Sequence, residues 1–113
     1  MSQSTEFILI YVTSDSETEA RTIAQKLVQE NLAACVSVTP VTSVYRWDGA
    51  VTLDSEWQLT IKTRQERFAA IQAVIAATHS YDVPECIAVP IVAGTPSYLQ
   101  WLRDSTEPSV NPA

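Results

Sequence analysis

An α+β fold, with strand, helix, strand, strand, helix and strand in order and one more helix near the C-terminus, is what this sequence predicts. Three features carry that prediction. Two stretches with helical spacing of apolar residues, one ending near Asn31 and one fading by Thr78, separate runs rich in β-branched and aromatic residues. Asp48-Gly49 joins two long strand-like arms and is a strong hairpin signal. Pro40 and Pro90 fall in the second and fourth strand-like runs, which places those runs at sheet edges or bulges, where a missing amide proton is tolerated.

The first strand is Phe7 to Thr13, Phe-Ile-Leu-Ile-Tyr-Val-Thr, whose near-continuous apolar character suits an inner strand covered on both faces. Ser14, Asp15 and Ser16 then offer helix caps, and Glu19 stands three places after Ser16 in the capping-box spacing. Ala20, Ile23, Ala24, Leu27 and Val28 form the apolar stripe of the first helix. Ala33 to Trp47 is a second extended run with period-two alternation at its centre. Its return arm, Val51 to Thr63, alternates Val51, Leu53, Trp57, Leu59 and Ile61 with polar residues. At ~3.3 Å per residue both arms outreach the body of a small domain, so the hairpin tip calls for a cover from elsewhere, a neighbouring subunit first.

Thr63 and Glu66 repeat the capping-box spacing before a second helix with Phe68, Ile71, Val74 and Ile75 on its apolar stripe. After a polar connection, Cys86 to Val92 reads as the fourth strand. Gly94-Thr-Pro-Ser turns into a short helix in which Tyr98, Trp101 and Leu102 have packing spacing. The element order is that of the ferredoxin-like split βαβ sandwich, βαββαβ, with an added C-terminal helix. Residues 1–105 form a single expected domain, and 106–113, polar and proline-containing, form an expected flexible tail.

Composition narrows the function. The chain of 113 residues is 46% hydrophobic and only 18% charged, a balance that leaves surface for burial against another chain. A net charge of -6 and a pI near 4.5 argue against nucleic acid, which needs a clustered basic footprint. The N-terminus carries no basic region before its short apolar run, so neither a signal sequence nor a membrane span is expected, and a cytoplasmic protein is. Cys35 and Cys86 lack zinc-type or Cys-x-x-Cys spacing and are expected to stay reduced.

Chemistry gathers at residues 79–85, His-Ser-Tyr-Asp-Val-Pro-Glu, which hold the only histidine, a phenol and two carboxylates in a helix-to-strand connection stiffened by Pro84. His79 with a cysteine, Cys35, offers imidazole and thiolate to a soft divalent metal, copper first. The alternative is that His79 caps the second helix and bonds backbone, and that both cysteines are inert core residues. Lys62, Tyr81 and Glu85 are candidates for an intersubunit cleft in which Lys62 meets a small anion. An ion pair between Lys62 and Glu85 is the structural alternative. Trp47 at the hairpin end joins that cleft as a ligand platform or serves as an interface aromatic. With two glycines, no phosphate-binding glycine loop and no Gly-x-Ser-x-Gly, the sequence does not predict an enzyme.

Five segments in order along the chain, Ala33-Ala34-Cys35-Val36, Tyr45-x-Trp47-x-Gly49, Ile61-Lys62-Thr63, His79-x-Tyr81-x-Val83-Pro84-Glu85 and Tyr98-Leu99-x-Trp101, together resemble the CutA family of small cytoplasmic proteins named for divalent-cation tolerance. The resemblance implies a compact homotrimer of ferredoxin-like subunits, similar to the PII nitrogen-signalling proteins, in which the long hairpins join neighbours. It implies a non-enzymatic protein that binds or responds to divalent metal, with a PII-like sensor of a small anionic metabolite as the alternative. Three positions depart from the family pattern: Ser80 stands where proline is common, Asp82 where Glu or Gln is common, and Val12 where some relatives carry cysteine.

Overall fold

The computed structural model describes residues 5–108. Four strands, β1 (Phe7–Ser14), β2 (Cys35–Trp47), β3 (Ala50–Arg64) and β4 (Ile87–Pro90), form one antiparallel sheet in the order β2-β3-β1-β4. The helices are α1 (Glu17–Gln29), α2 (Phe68–Thr78) and α3 (Pro96–Ser105). This is the expected ferredoxin-like order, with Pro40 and Pro90 on the two edge strands.

Strand alternation divides the sheet between two covers. Ile8, Ile10 and Val12 of β1, with Leu59 and Ile61 of β3, point to one face and meet Ala20, Ile23 and Leu27 of α1 and Ile71 and Ile75 of α2 in the main core. Phe7, of opposite parity, packs on the other face against Leu102 and Leu99 of α3. At ~1.5–3 kcal/mol for each fully buried aliphatic side chain, the first cluster dominates the stability.

Helix α1 begins and ends as its sequence dictates. Ser16 Oγ accepts the Glu19 N–H at 3.1 Å. At the other end Asn31 takes φ 59°, and Leu32 N donates to Leu27 O at 2.9 Å and Asn31 N to Val28 O at 3.1 Å, a Schellman closure that turns Leu32 back onto the core. Val28, assigned to the stripe, is exposed.

The Thr63–Glu66 capping box does not form. Thr63 lies inside β3, where its hydroxyl donates to the Leu32 carbonyl at 2.6 Å, and pairing of Phe7 with Arg64 carries the strand one residue further. A 3₁₀ turn, Gln65–Arg67, then leads into α2. β4 is shorter than expected: Ile87–Pro90 pair with β1, one more bond runs from Ile91 N–H to Phe7 O at 3.0 Å, and Val92 is exposed beyond it. In α3, Leu102 and Leu99 make the packing contact, while Trp101 is 45% exposed and tilts against Tyr98 at 5.3 Å.

The C-terminal boundary also moves. Thr106, placed in the tail by sequence, is fully buried: its hydroxyl receives Arg64 Nε at 2.8 Å, and its carbonyl receives Arg64 Nη2 at 3.0 Å and Arg67 Nε at 2.8 Å. Two guanidinium groups thus meet the negative end of α3. The rest of the expected tail, 109–113, lies outside the described residues.

The hairpin is long, as expected. Asp48 at φ 50° and Gly49 at φ 80° give the left-handed pair of a type I′ turn. The last β1–β3 pair is Ser14 with Trp57, so among the described residues β3 before Trp57 has β2 as its one strand neighbour.

Candidate functional site

The 79–85 connection starts where α2 stops. His79 closes the helix by donating its N–H to Ile75 O at 2.9 Å, and its imidazole is wholly buried. Two contacts fix the ring's tautomer. Tyr81 N–H can only donate, and it lies 3.0 Å from Nδ1, so Nδ1 is the acceptor. The proton is therefore on Nε2, which donates to the Thr13 carbonyl at 2.6 Å. Both nitrogens are committed to backbone, as the helix-capping alternative describes.

Glu19 holds the same loop from α1. Its carboxylate accepts Ser14 Oγ at 2.6 Å, Ser80 N at 3.0 Å and Ser80 Oγ at 3.4 Å, and stands 3.7 Å from His79 Nδ1. The Ser16 capping box is thus half made: Ser16 receives the Glu19 amide, while the Glu19 side chain turns to the loop instead of to Ser16.

Tyr81 stacks at a tilt on His79, ring centroids 4.7 Å apart, and its hydroxyl donates to Glu56 Oε2 at 3.0 Å. Burial first, and then the bond to the Glu56 carboxylate, push the phenol's pKa far above its ordinary value, so it remains a donor at any working pH. Glu56 is 7% exposed and lies one residue beyond the end of the β1–β3 ladder, where Tyr81 takes the place of a third strand.

The remaining candidates lie apart from this cluster. Cys35 pairs with Lys62, which pairs with Leu9, and Leu9 to Thr13 is about 13 Å along β1. His79 and Cys35 therefore do not converge within one chain, and among the described residues no three His, Cys, Asp or Glu side chains group to hold a metal ion. Trp47 sits at the hairpin tip opposite Ala50, and Ala50 to Lys62 is about 40 Å of strand. Lys62 Nζ stands 5.8 Å from the Tyr98 ring centroid, and among the described residues no carboxylate pairs with it. Glu85 is exposed, and among the described residues it makes no ion pair with Lys62. Within one chain Trp47 and Lys62 stand far apart along the hairpin, while Tyr81 and Glu85 share the 79–85 connection.

Both cysteines are free. Cys86 packs against the main core, and burial, then the nearby Glu85 charge, raise its thiol pKa.

Sequence reasoning missed Glu56 and the loop contact of Glu19. Glu19 was visible, but as a capping residue. Glu56, in Asp54-Ser55-Glu56, reads as an ordinary solvated strand charge, because only the register shows that β1 ends beside it.

Comparison with known proteins places this arrangement. The sequence pattern of the CutA1 divalent ion tolerance protein family matches residues 8–105. The chain is 47% identical over 100 residues to the chloroplastic protein CutA of Arabidopsis thaliana, covering 88% of this chain and 55% of that protein. It is 46% identical over 99 residues to the divalent-cation tolerance protein CutA of Thermus thermophilus, covering 87% of this chain and 96% of the other. The solved periplasmic divalent cation tolerance protein CutA of Archaeoglobus fulgidus superposes with a TM-score of 0.87 at 37% identity, over 89% of this chain and 99% of that one.

Proposed function

The chain belongs to the CutA1 family of divalent ion tolerance proteins, and from that premise we propose that it works as a homotrimer, without catalysis, that binds or responds to divalent cations, copper first. The observation that carries the assembly is an uncovered apolar stripe on the hairpin. Val44, Leu53 and Val51 are 64%, 67% and 70% exposed and share one face by register. The main core ends before them, so within one chain nothing packs on them among the described residues. A contiguous patch of this kind marks a surface built for another protein, and a second and third copy supply its cover.

The cation reading is supported by the family's link to divalent ions. Among the described residues the donors of one chain do not make a closed metal site. His79 and Cys35 remain its candidate ligands, His79 only where its bond to Tyr81 N–H is given up. Light scattering should report three times the 12.4 kDa chain mass. Calorimetric titration of that species with copper, zinc and nickel tests the cation. Binding lost in His79→Ala or Cys35→Ser supports those ligands, and an assembly that binds none of the three metals overturns the cation reading.

One observation favours a second reading, a PII-like sensor of a small anionic metabolite at clefts formed by Lys62, Tyr81, Glu85 and Trp47 of adjoining copies. Lys62 is half-buried and unpaired by any carboxylate among the described residues, which suits it to an anion. Binding of an anion to the assembly that is lost in Lys62→Ala would favour this reading.

No helix of the described residues is long and apolar enough to cross a membrane. Two free cysteines suit a reducing compartment, and we place the protein in the cytoplasm on that ground.

A further inference from the structure

One residue covers the lone pair of the chain's one imidazole. With its proton on Nε2, His79 keeps Nδ1 as its acceptor, and the Tyr81 N–H stands on that nitrogen at 3.0 Å while the Tyr81 ring tilts over the imidazole at 4.7 Å between centroids. The imidazole is wholly buried, yet the connection just beyond is open: Asp82 and Glu85 are exposed, and Val83 is 90% exposed. Among the described residues, the last hydrogen bonds of the connection before β4 are those of Ser80 and Tyr81. The side chain of the cover is held by one of them, from the Tyr81 hydroxyl to Glu56 Oε2 at 3.0 Å.

We propose that Tyr81 is a lid on the His79 imidazole, latched to the hairpin by Glu56, and that lifting it presents Nδ1 to a divalent cation. This rests on His79 being a cation ligand, as proposed above. Nδ1 carries the lone pair, so no proton has to leave the ring and only the Tyr81 N–H has to withdraw. The residue that carries that N–H also carries the latch, so moving Tyr81 off the ring gives up both bonds together. The ring itself stays in place. Its backbone N–H still bonds Ile75 O and its Nε2–H still bonds Thr13 O. Glu19, on α1, stays with Oε2 3.7 Å from Nδ1, so an oxygen stands beside the uncovered nitrogen. The latch is strong for a single bond because its acceptor is a mostly buried carboxylate, and the phenol keeps its proton and so remains a donor. Tyr81 and Glu56 are therefore positioning residues, and neither is a ligand.

The one histidine of the full chain makes the lid measurable without a metal. Diethyl pyrocarbonate transfers an ethoxycarbonyl group to an unprotonated imidazole nitrogen, releasing ethanol and carbon dioxide, and the product is read by ultraviolet absorbance and reversed by hydroxylamine. Tyr81→Phe keeps the ring and removes the latch. A hydrogen bond to a carboxylate shifts a local opening equilibrium by roughly tenfold or more, so modification of His79 and hydrogen exchange of the residue 81 amide should both quicken by that factor. Glu56→Gln, which keeps a neutral acceptor for the hydroxyl, should give a smaller rise. Arg64→Ala perturbs the opposite end of β1, where Arg64 pairs with Phe7, and should leave the modification rate within about twofold of wild type. An unchanged rate in Tyr81→Phe overturns the lid, and so does an equal rise in Arg64→Ala. Copper titration of wild type and Tyr81→Phe then tests the reading beneath it. Binding tightened by the same factor supports both. Faster modification with copper binding unchanged or absent leaves the lid standing and overturns His79 as a ligand.

Discussion

The Nε2–H of His79 donates to the carbonyl of Thr13 at 2.6 Å, which ties the end of α2 to the end of β1 at the start of the connection that holds the chain's one histidine. The imidazole is buried and its other nitrogen serves the Tyr81 amide, so it acts as a strut between three segments. His79→Ala leaves that amide and that carbonyl without partners and opens a cavity. It should destabilise the chain by about 2–4 kcal/mol in urea unfolding, since unmet buried polar groups cost ~1–3 kcal/mol and the lost ring adds to that. A change below ~0.5 kcal/mol would show that the ring is not held as described. Loss of copper binding in this variant therefore reports on a ligand only where its unfolding baseline is intact.

Tyr81 and Glu56 predict an ordering of two variants. Tyr81→Phe leaves a buried carboxylate with no donor and should cost about 1–3 kcal/mol. Glu56→Gln keeps an oxygen for the Tyr81 hydroxyl and removes the charge, so it should cost less or stabilise. Chemical denaturation of both variants at neutral pH decides, and the reverse order would contradict a mostly buried carboxylate whose side-chain donor is Tyr81.

These two residues also show how far the sequence could be read. Strand order, edge strands, hairpin turn and α1 cap each follow from local chemistry: Pro40, Pro90, Asp48-Gly49 and Ser16 act on their own backbone. Glu56 does not. Its burial depends on β1 ending opposite Trp57 and on Tyr81 arriving from the far end of the chain. The same holds for Thr63, whose cap-like spacing is overridden by a carbonyl on a distant turn, and for Thr106, which looks like tail until Arg64 is beside it. His79 as a helix cap was legible, whereas the separation of His79 from Cys35 needed the register.

Arg64 makes the C-terminal boundary testable. It is buried, with two bonds to Thr106 and an ion pair to Glu66 at 2.6 Å. Arg64→Ala should cost about 2–4 kcal/mol. Arg64→Lys should recover less than half, because an ammonium cannot reproduce the guanidinium fork on Thr106. Stopping the chain after Ser105 should cost a similar amount, measured by thermal unfolding. A truncation with an unchanged midpoint would return Thr106 to the tail.

Cys86 should react slowly with a disulfide reagent in the folded protein and rapidly on unfolding, because burial keeps its thiol protonated. The linkage has a definite sign. The folded pKa is raised above the ordinary 9.0, so the folded state holds its proton longer than the unfolded chain. The stabilisation is present below that pH and is lost as pH rises through the folded value. In Cys86→Ala the decline in stability above about pH 9 should be shallower, and identical alkaline slopes would exclude the effect.

The hairpin stripe offers a prediction in which stability and assembly part company. In an isolated chain Val44, Leu53 and Val51 face water, so Leu53→Lys removes no packed contact and should change the chain's intrinsic stability by no more than ~0.5 kcal/mol. In the proposed trimer the same residue is covered, and a lysine there places a charge in an apolar contact, at a cost large enough to dissociate it. Light scattering of Leu53→Lys should therefore report the single-chain mass, with a circular dichroism spectrum that keeps the helices and strands. A trimer of undiminished affinity would mean that the stripe is left in water even in the assembly, and the cover would have to be sought in another protein.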